Sequence, residues 1–161
     1  MPIFSVVDID EKLFDAAYPL VRAVAPEVSA EQWLDYARKI AREGGLLGLN
    51  GADGALFGFL SYRKGNTLRH DCVLHIDNFF TFELNRSAPG RLVLSAAAEA
   101  LARKMGCTAI EIRQDSRGSA DGGTTRTQGW SNLGHVLEAV VFTKLLDAGS
   151  EQTVAAELSA A

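Results

Sequence analysis

The residues best suited to chemistry gather around one strand-like stretch and the loop that follows it. Arg86, Ser87, Ala88, Gly90 and Arg91 lead into an apolar helical run that begins at Leu92. Two arginines and a glycine at a helix entrance suit an anion: the first backbone N–H groups point outward, and the helix dipole favours negative charge there. The competing reading is an ordinary solvated surface. Upstream, His75, Asp77 and Glu83 share one face of a stretch over 74–83. Asp77 is a candidate general base, which must lie within hydrogen-bond reach of the proton it removes; its competing role is a paired structural carboxylate. His75 suits a proton relay or a satisfied structural histidine. Glu83, at the strand end, suits a solvated edge or the dipole of the next helix rather than catalysis. Asp115 and Ser116 suit either the lining of an acceptor site or turn and cap duty. Cys107 is a poor nucleophile in apolar surroundings. His70, His75 and His135 show no ligand spacing, so no metal is expected.

These residues need elements to hold them. The sequence predicts a strand over 74–83, a helix over 92–105 stopped by Gly106, and a second strand over 108–113. Strict alternation puts Val73, His75, Asp77, Phe79, Thr81 and Glu83 on one face. Cys72, Leu74, Ile76, Asn78, Phe80 and Phe82 fall on the other, greasier face. In the helix, Leu94, Ala98, Leu101 and Met105 form the apolar stripe, and Ser95, Glu99 and Arg103 the wet face.

Earlier in the chain come a short strand over 3–7 and a helix over 11–24 in which Pro19 predicts a kink or break. Ser29 and Gln32 form a capping box for a second helix, with Trp33, Leu34, Tyr36, Ala37 and Ile40 on its buried side. Gly44 and Gly45 stop that helix, and a hairpin follows around the turn Gly51-Ala-Asp-Gly54. After Arg113 the stretch 114–129 is rich in Gly, Ser, Thr, Asp and Arg. Trp130, a turn at 132–134, a strand near 135–145 and an Ala-rich tail over 147–161 complete the chain. The order is β, α, α, β, β, β, α, β, irregular or α, β. It implies an α/β chain of α+β type, with a mostly antiparallel mixed sheet, one β-α-β crossover and helices on both faces.

At 161 residues the chain suits one domain, here 1–146 followed by the tail 147–161. A net charge of −4 argues against nucleic acid as the main partner. Two cysteines, Cys72 and Cys107, suit reduced core thiols. No cationic start with an apolar core and no membrane-length apolar run is present, so a soluble, cytoplasmic protein is expected.

The element order resembles the GNAT superfamily of N-acetyltransferases, and the resemblance extends to residues. One group of these proteins reads "G-x-hydrophobic-G…Y-R", "I-D-D-L-V-T", "R-x-x-G-x-G", "A-R-x-x-G-C", "D-S" and "G-F…F-x-K-x-L" in order. Here the corresponding stretches are Leu56-Phe57-Gly58-Phe59 with Tyr62-Arg63, then Ile76-Asp77-Asn78-Phe79-Phe80-Thr81, then Arg86 onward. They continue as Ala102-Arg103-Lys104-Met105-Gly106-Cys107, Asp115-Ser116, Gly129-Trp130 and Phe142-Thr143-Lys144-Leu145.

The resemblance implies a GNAT-like acyl-CoA N-acyltransferase fold in which two strands splay and the pantetheine of acetyl-CoA lies in the gap. Phe79, Phe80 and Thr81 would flank it, and Arg86, Ser87, Ala88, Gly90, Arg91 and Leu92 would hold the diphosphate. It implies an N-acetyltransferase acting on an amine of a small molecule or peptide, by direct attack in a ternary complex. Asp77 would take the ammonium proton, and Ser116 would stand in for a tyrosine that usually protonates the thiolate. A homodimer is a common assembly for such proteins.

Two departures from the pattern stand out. Pro89 and Arg91 occupy the two glycine positions of the phosphate loop, and Pro89 brings no N–H donor. Thr124 and Thr125 stand where an aromatic pair is expected in "F-Y-x-x-x-G-F". The alternative is therefore a GNAT-shaped ligand- or partner-binding module that no longer uses acetyl-CoA. A third reading is a structural or dimerisation role for the terminal strand and tail.

Overall fold

The computed structural model describes residues 3–83, 88–114 and 124–146. The chain divides into two compact units, 1–115 and 116–161. In the first unit the order is β1 (Phe4–Asp8), α1 (Phe14–Val24), α2 (Ala30–Glu43), β2 (Gly44–Gly51), β3 (Leu56–Gly65), β4 (Val73–Thr81), α3 (Pro89–Lys104) and β5 (Ala109–Ile112). The strands form one sheet in the order β1-β2-β3-β4-β5. Every neighbouring pair is antiparallel except β4 and β5, which the α3 crossover joins in parallel.

Helices cover both faces. Phe14, Ala17 and Val21 of α1 pack with Trp33, Ala37 and Ile40 of α2 over Leu46 and Phe59. On the opposite face Leu94, Ala98 and Ala102 of α3 pack on Leu47, Leu49, Leu60, Leu74 and Ile76. The alternation of Leu46 and Leu47, and of Phe59 and Leu60, between the two layers is the period-two signature of a strand buried on both sides.

Local signals explain most boundaries. The Ser29 hydroxyl accepts from Gln32 N–H at 3.1 Å, and the Gln32 amide oxygen accepts from Ser29 N–H at 2.8 Å, completing the capping box. Gly54 (φ +84°) closes the β2–β3 hairpin and Gly106 (φ +75°) ends α3, both in the left-handed region that glycine enters at little cost. Helix α1 starts later than expected and runs unbroken through Pro19.

Three further expectations need correction. Helix α3 starts at Pro89 rather than Leu92, because proline is suited to a first helical position whose N–H has no intrahelical partner. Its buried residues include Ser95, so the wet face is narrower than expected; Glu99 and Arg103 do lie outside it, paired at 3.6 Å. Residues 135–146 form no strand among the described residues. Their apolar side chains do not alternate, and Val136, Leu137, Phe142 and Leu145 are exposed. Strand propensity alone does not make a strand without a ladder partner.

In the second unit, α4 (Thr124–Asn132) ends in a turn where His135 N–H donates to Trp130 O at 3.0 Å and Gly134 has φ +87°. Trp130 is buried and meets His135 edge-on. The expected turn at 132–134 is therefore present, while the tail 147–161 lies outside the described residues.

Candidate active site

The site is built on a break in strand pairing. Ser61 pairs with Asn78, but the next residue, Tyr62, pairs with Ile76. Asp77 is thus the extra residue of a β-bulge, which bends the strand and re-aims its side chains. Strict alternation fails at this point. Leu74 and Ile76 face α3 as expected, but Phe79 packs in the α3 layer while Phe80 packs against Phe59 in the α1–α2 layer, ring centroids 5.6 Å apart. The bulge reverses the pattern, so Asp77 and Asn78 both turn toward α2.

On that face a polar network is assembled. Asn78 Nδ2 donates to Tyr36 Oη and to Ser61 Oγ, each at 2.8 Å, and the two hydroxyls lie 3.0 Å apart. Ser61 is fully buried, so its partners are essential. Burial holds the Tyr36 phenol above its ordinary value, and the Asp77 charge acts in the same direction. The hydrogen bonds from Ser61 and Asn78 and the charge of Arg63 oppose them. Tyr36 is therefore a neutral hydroxyl at physiological pH. Arg63 Nε donates to Asp77 Oδ2 at 3.1 Å. Tyr36, Lys39, Ile40, Glu43, Arg63 and Asp77 line an open depression of about 190 Å³. One strand over, His75 Nδ1 meets Glu111 Oε2 at 3.0 Å, which gives His75 a structural partner.

At the bulge the described pairing of β4 with β5 ends. The β4–β5 register ends at Ile76 opposite Ile112, and the last bond runs from Arg113 N–H to Ile76 O at 2.9 Å. Strand β4 continues to Thr81, whereas β5 does not follow it among the described residues.

The entrance of α3 is organised differently. Ala88 is left-handed (φ 46°) and offers no side-chain cap. The cap comes from Glu83: its Oε2 accepts from Gly90 N–H at 2.8 Å and its Oε1 from Arg91 N–H at 2.9 Å. Leu92 N–H reaches Ala88 O at 3.2 Å, and Leu92 itself is half exposed. Burial draws the Arg91 guanidinium below its ordinary value, opposed by the Glu83 charge.

The site residues expected from the sequence thus divide. Asp77 sits at the bulge, Phe79, Phe80 and Thr81 lie where β4 runs past β5, and Ala88, Gly90, Arg91 and Leu92 form the α3 entrance. Arg86, Ser87, Asp115 and Ser116 lie outside the described residues. The sequence puts Tyr36 on the buried side of α2 but does not join it to Ser61, Asn78 and Arg63. The signal was faint, since a bulge leaves no mark in residue types. Of the two roles the sequence leaves open to Glu83, a solvated edge or the dipole of the next helix, it takes the second.

Helix α4 runs through Gly129 and Trp130, and the turn comes at Gly134. Thr124 and Thr125 stand at the start of that helix.

No group of metal-ligating side chains is present among the described residues. The two cysteines are free thiols with Sγ atoms 3.0 Å apart, and burial raises the Cys107 thiol first, helped by Cys72. Among the described residues no helix is long and apolar enough to cross a membrane.

No protein-family model matches the sequence, and no curated protein matches it. Solved structures do. An aminoglycoside N-acetyltransferase in complex with CoA is 17% identical, with TM-score 0.71 over 88% of this chain and 94% of that one. Glucosamine-6-phosphate N-acetyltransferase from Arabidopsis thaliana is 10% identical, with TM-score 0.68 over 89% and 99% of the two chains. Ribosomal-protein-alanine N-acetyltransferase from Brucella melitensis is 12% identical, with TM-score 0.68 over the same shares, 89% and 99%. A GNAT family acetyltransferase from Staphylococcus aureus also superposes, at TM-score 0.64 and 16% identity over 89% and 98%. The chain has the fold of the GNAT acetyltransferases.

One neighbour of this fold is solved with CoA, and the residues here fit such a group in part. The β4 edge beyond Ile76 fits a pantetheine arm. The α3 entrance, as it stands, does not fit a diphosphate: Pro89 has no N–H, and the N–H groups of Gly90 and Arg91 are already bonded to Glu83.

Proposed function

We propose that the chain is an N-acyltransferase that moves an acyl group, acetyl in the first instance, from a pantetheine thioester to an amine of a small molecule or peptide. The observation that carries this reading is the bulge at Asp77, which stands where β4 and β5 part and turns a carboxylate toward an open depression. A bound thioester supplies an activated acyl carbon, which the amine nitrogen attacks as the C–S bond breaks.

Asp77 takes the proton of the incoming ammonium, directly or through one water, and Arg63 fixes its orientation. Tyr36, Ser61 and Asn78 form the polar network beside it, and Glu43 offers a second carboxylate to an amine in a depression where Lys39 and Arg63 balance the two acidic charges. Positioning supplies most of the rate enhancement, as expected when both reactants are held in one ternary complex. Ser116 is the proposed source of the proton for the thiolate.

Thiol release from acetyl-CoA, measured against a panel of aminoglycosides, amino sugars, polyamines and peptide N-termini, tests this reading. Amine-dependent release is expected, and Asp77→Asn should lower kcat about 100-fold with the donor KM preserved. No amine-dependent release at millimolar acetyl-CoA would overturn it. One observation favours the second reading, a binding module that does not use acetyl-CoA: the α3 amides are occupied by the chain itself. A melting-temperature rise with CoA separates the two, since a ligand at a hundredfold its Kd adds about 2.7 kcal/mol.

A further inference from the structure

The first turn of α3 is accounted for amide by amide. Pro89 has none, Gly90 and Arg91 donate to the two oxygens of Glu83 at 2.8 and 2.9 Å, and Leu92 donates to Ala88 O at 3.2 Å. Two adjacent backbone N–H groups on two oxygens of one anion is the arrangement a helix entrance offers to a phosphate. Here the anion is covalently part of the chain. Gly90 is adapted to it: a Cβ at this position would stand 2.9 Å from Glu83 Oε2 and 2.5 Å from Leu49 Cδ2. Leu49 is fully buried, so that wall has little freedom to retreat.

Resting on the acyltransferase reading, we infer that Glu83 is the resident anion of the α3 cradle and sets donor specificity. The donor is held by its pantetheine arm along β4, and its diphosphate adds little affinity. Two facts work against an incoming diphosphate. It must break both charge-assisted bonds to Glu83, and the displaced carboxylate then stands beside a ligand of like charge. A neutral pantetheine thioester meets neither obstacle.

Calorimetric titration of CoA and of pantetheine into the full chain tests this, with Glu83→Ala and Glu83→Gln as variants. In the unmodified chain the two ligands should bind with Kd values within about threefold of each other. In Glu83→Ala the CoA Kd should fall about tenfold or more while that of pantetheine holds. Glu83→Gln keeps an amide oxygen to cap the helix, so it gives the same direction of change if the alanine variant does not fold. A preference for CoA of about tenfold or more in the unmodified chain would overturn the inference. A ratio unchanged in both variants would overturn it too, and either outcome leaves the acyltransferase reading standing. Binding of neither ligand to any of the proteins would remove that reading and the inference with it.

Discussion

The two faces of the sheet treat their polar groups in opposite ways. On the α2 face the bulge sets Asp77, Arg63 and Tyr36 around an open depression, Arg63 bonded to Asp77 and Tyr36 to Asn78, still within reach of a ligand. On the α3 face Glu83 folds back on the helix entrance and takes the donors that another anion would use. The lesson concerns what each arrangement leaves for function. A network that is half exposed keeps its chemistry available, whereas a capped helix start gains stability by using its binding capacity on itself. Substitutions on the two faces should therefore separate stability from binding in different directions.

The largest stability effect is expected at the α3 entrance. Gly90→Ala drives a Cβ against Leu49 and Glu83 and should cost about 2 kcal/mol, read from chemical denaturation. A cost below about 0.5 kcal/mol would mean that this corner is not tightly packed. Removing the cap with Glu83→Ala should cost about 1 kcal/mol while improving CoA binding, a trade of fold stability for affinity.

Tyr36→Phe should also cost about 1 kcal/mol at neutral pH, because Asn78 and Ser61 lose a shared partner. Its pH dependence is a sharper check. The folded phenol keeps its proton above the ordinary value of 10.0. Its contribution to stability is therefore complete below about pH 10 and is lost as pH rises through the folded-state value, where the unfolded chain has already ionised. The phenylalanine variant should show a shallower alkaline decline; an identical slope would mean that Tyr36 is not held neutral by burial. The smallest effect is expected for Arg63→Gln. The pair with Asp77 is part exposed, at 41% and 25% for the two side chains, so stability should change by less than about 1 kcal/mol while amine-dependent turnover falls.

Much of the fold was legible because its signals are local. Ser29 with Gln32 marks the start of α2, Gly54 the hairpin and Gly106 the end of α3, each through a hydrogen bond or a dihedral that its own residue type favours. The crossover between two β-prone runs likewise follows from their spacing. What was not legible depends on partners far apart in the chain. The bulge at Asp77 arises from the register of β3 against β4, and one extra residue reversed the facing of Asn78 and Phe80. Asn78 therefore meets Tyr36, 42 positions away, on the face opposite to the one alternation assigns it. Glu83 is the intermediate case. Its position before a helix suggested a partner for the dipole, but only the geometry reveals that it bonds both Gly90 and Arg91. Residues 135–146 show the converse, with β-prone residues that form no ladder among the described residues.

Backbone amide shifts recorded during titration with CoA test the contrast between the two regions most directly. In the unmodified chain the amides of residues 77–81, along the open edge of β4, should move with increasing ligand, while those of Gly90 and Arg91 hold until Glu83 is replaced. Early movement of Gly90 and Arg91 with Glu83 in place, or no movement along β4, would contradict it.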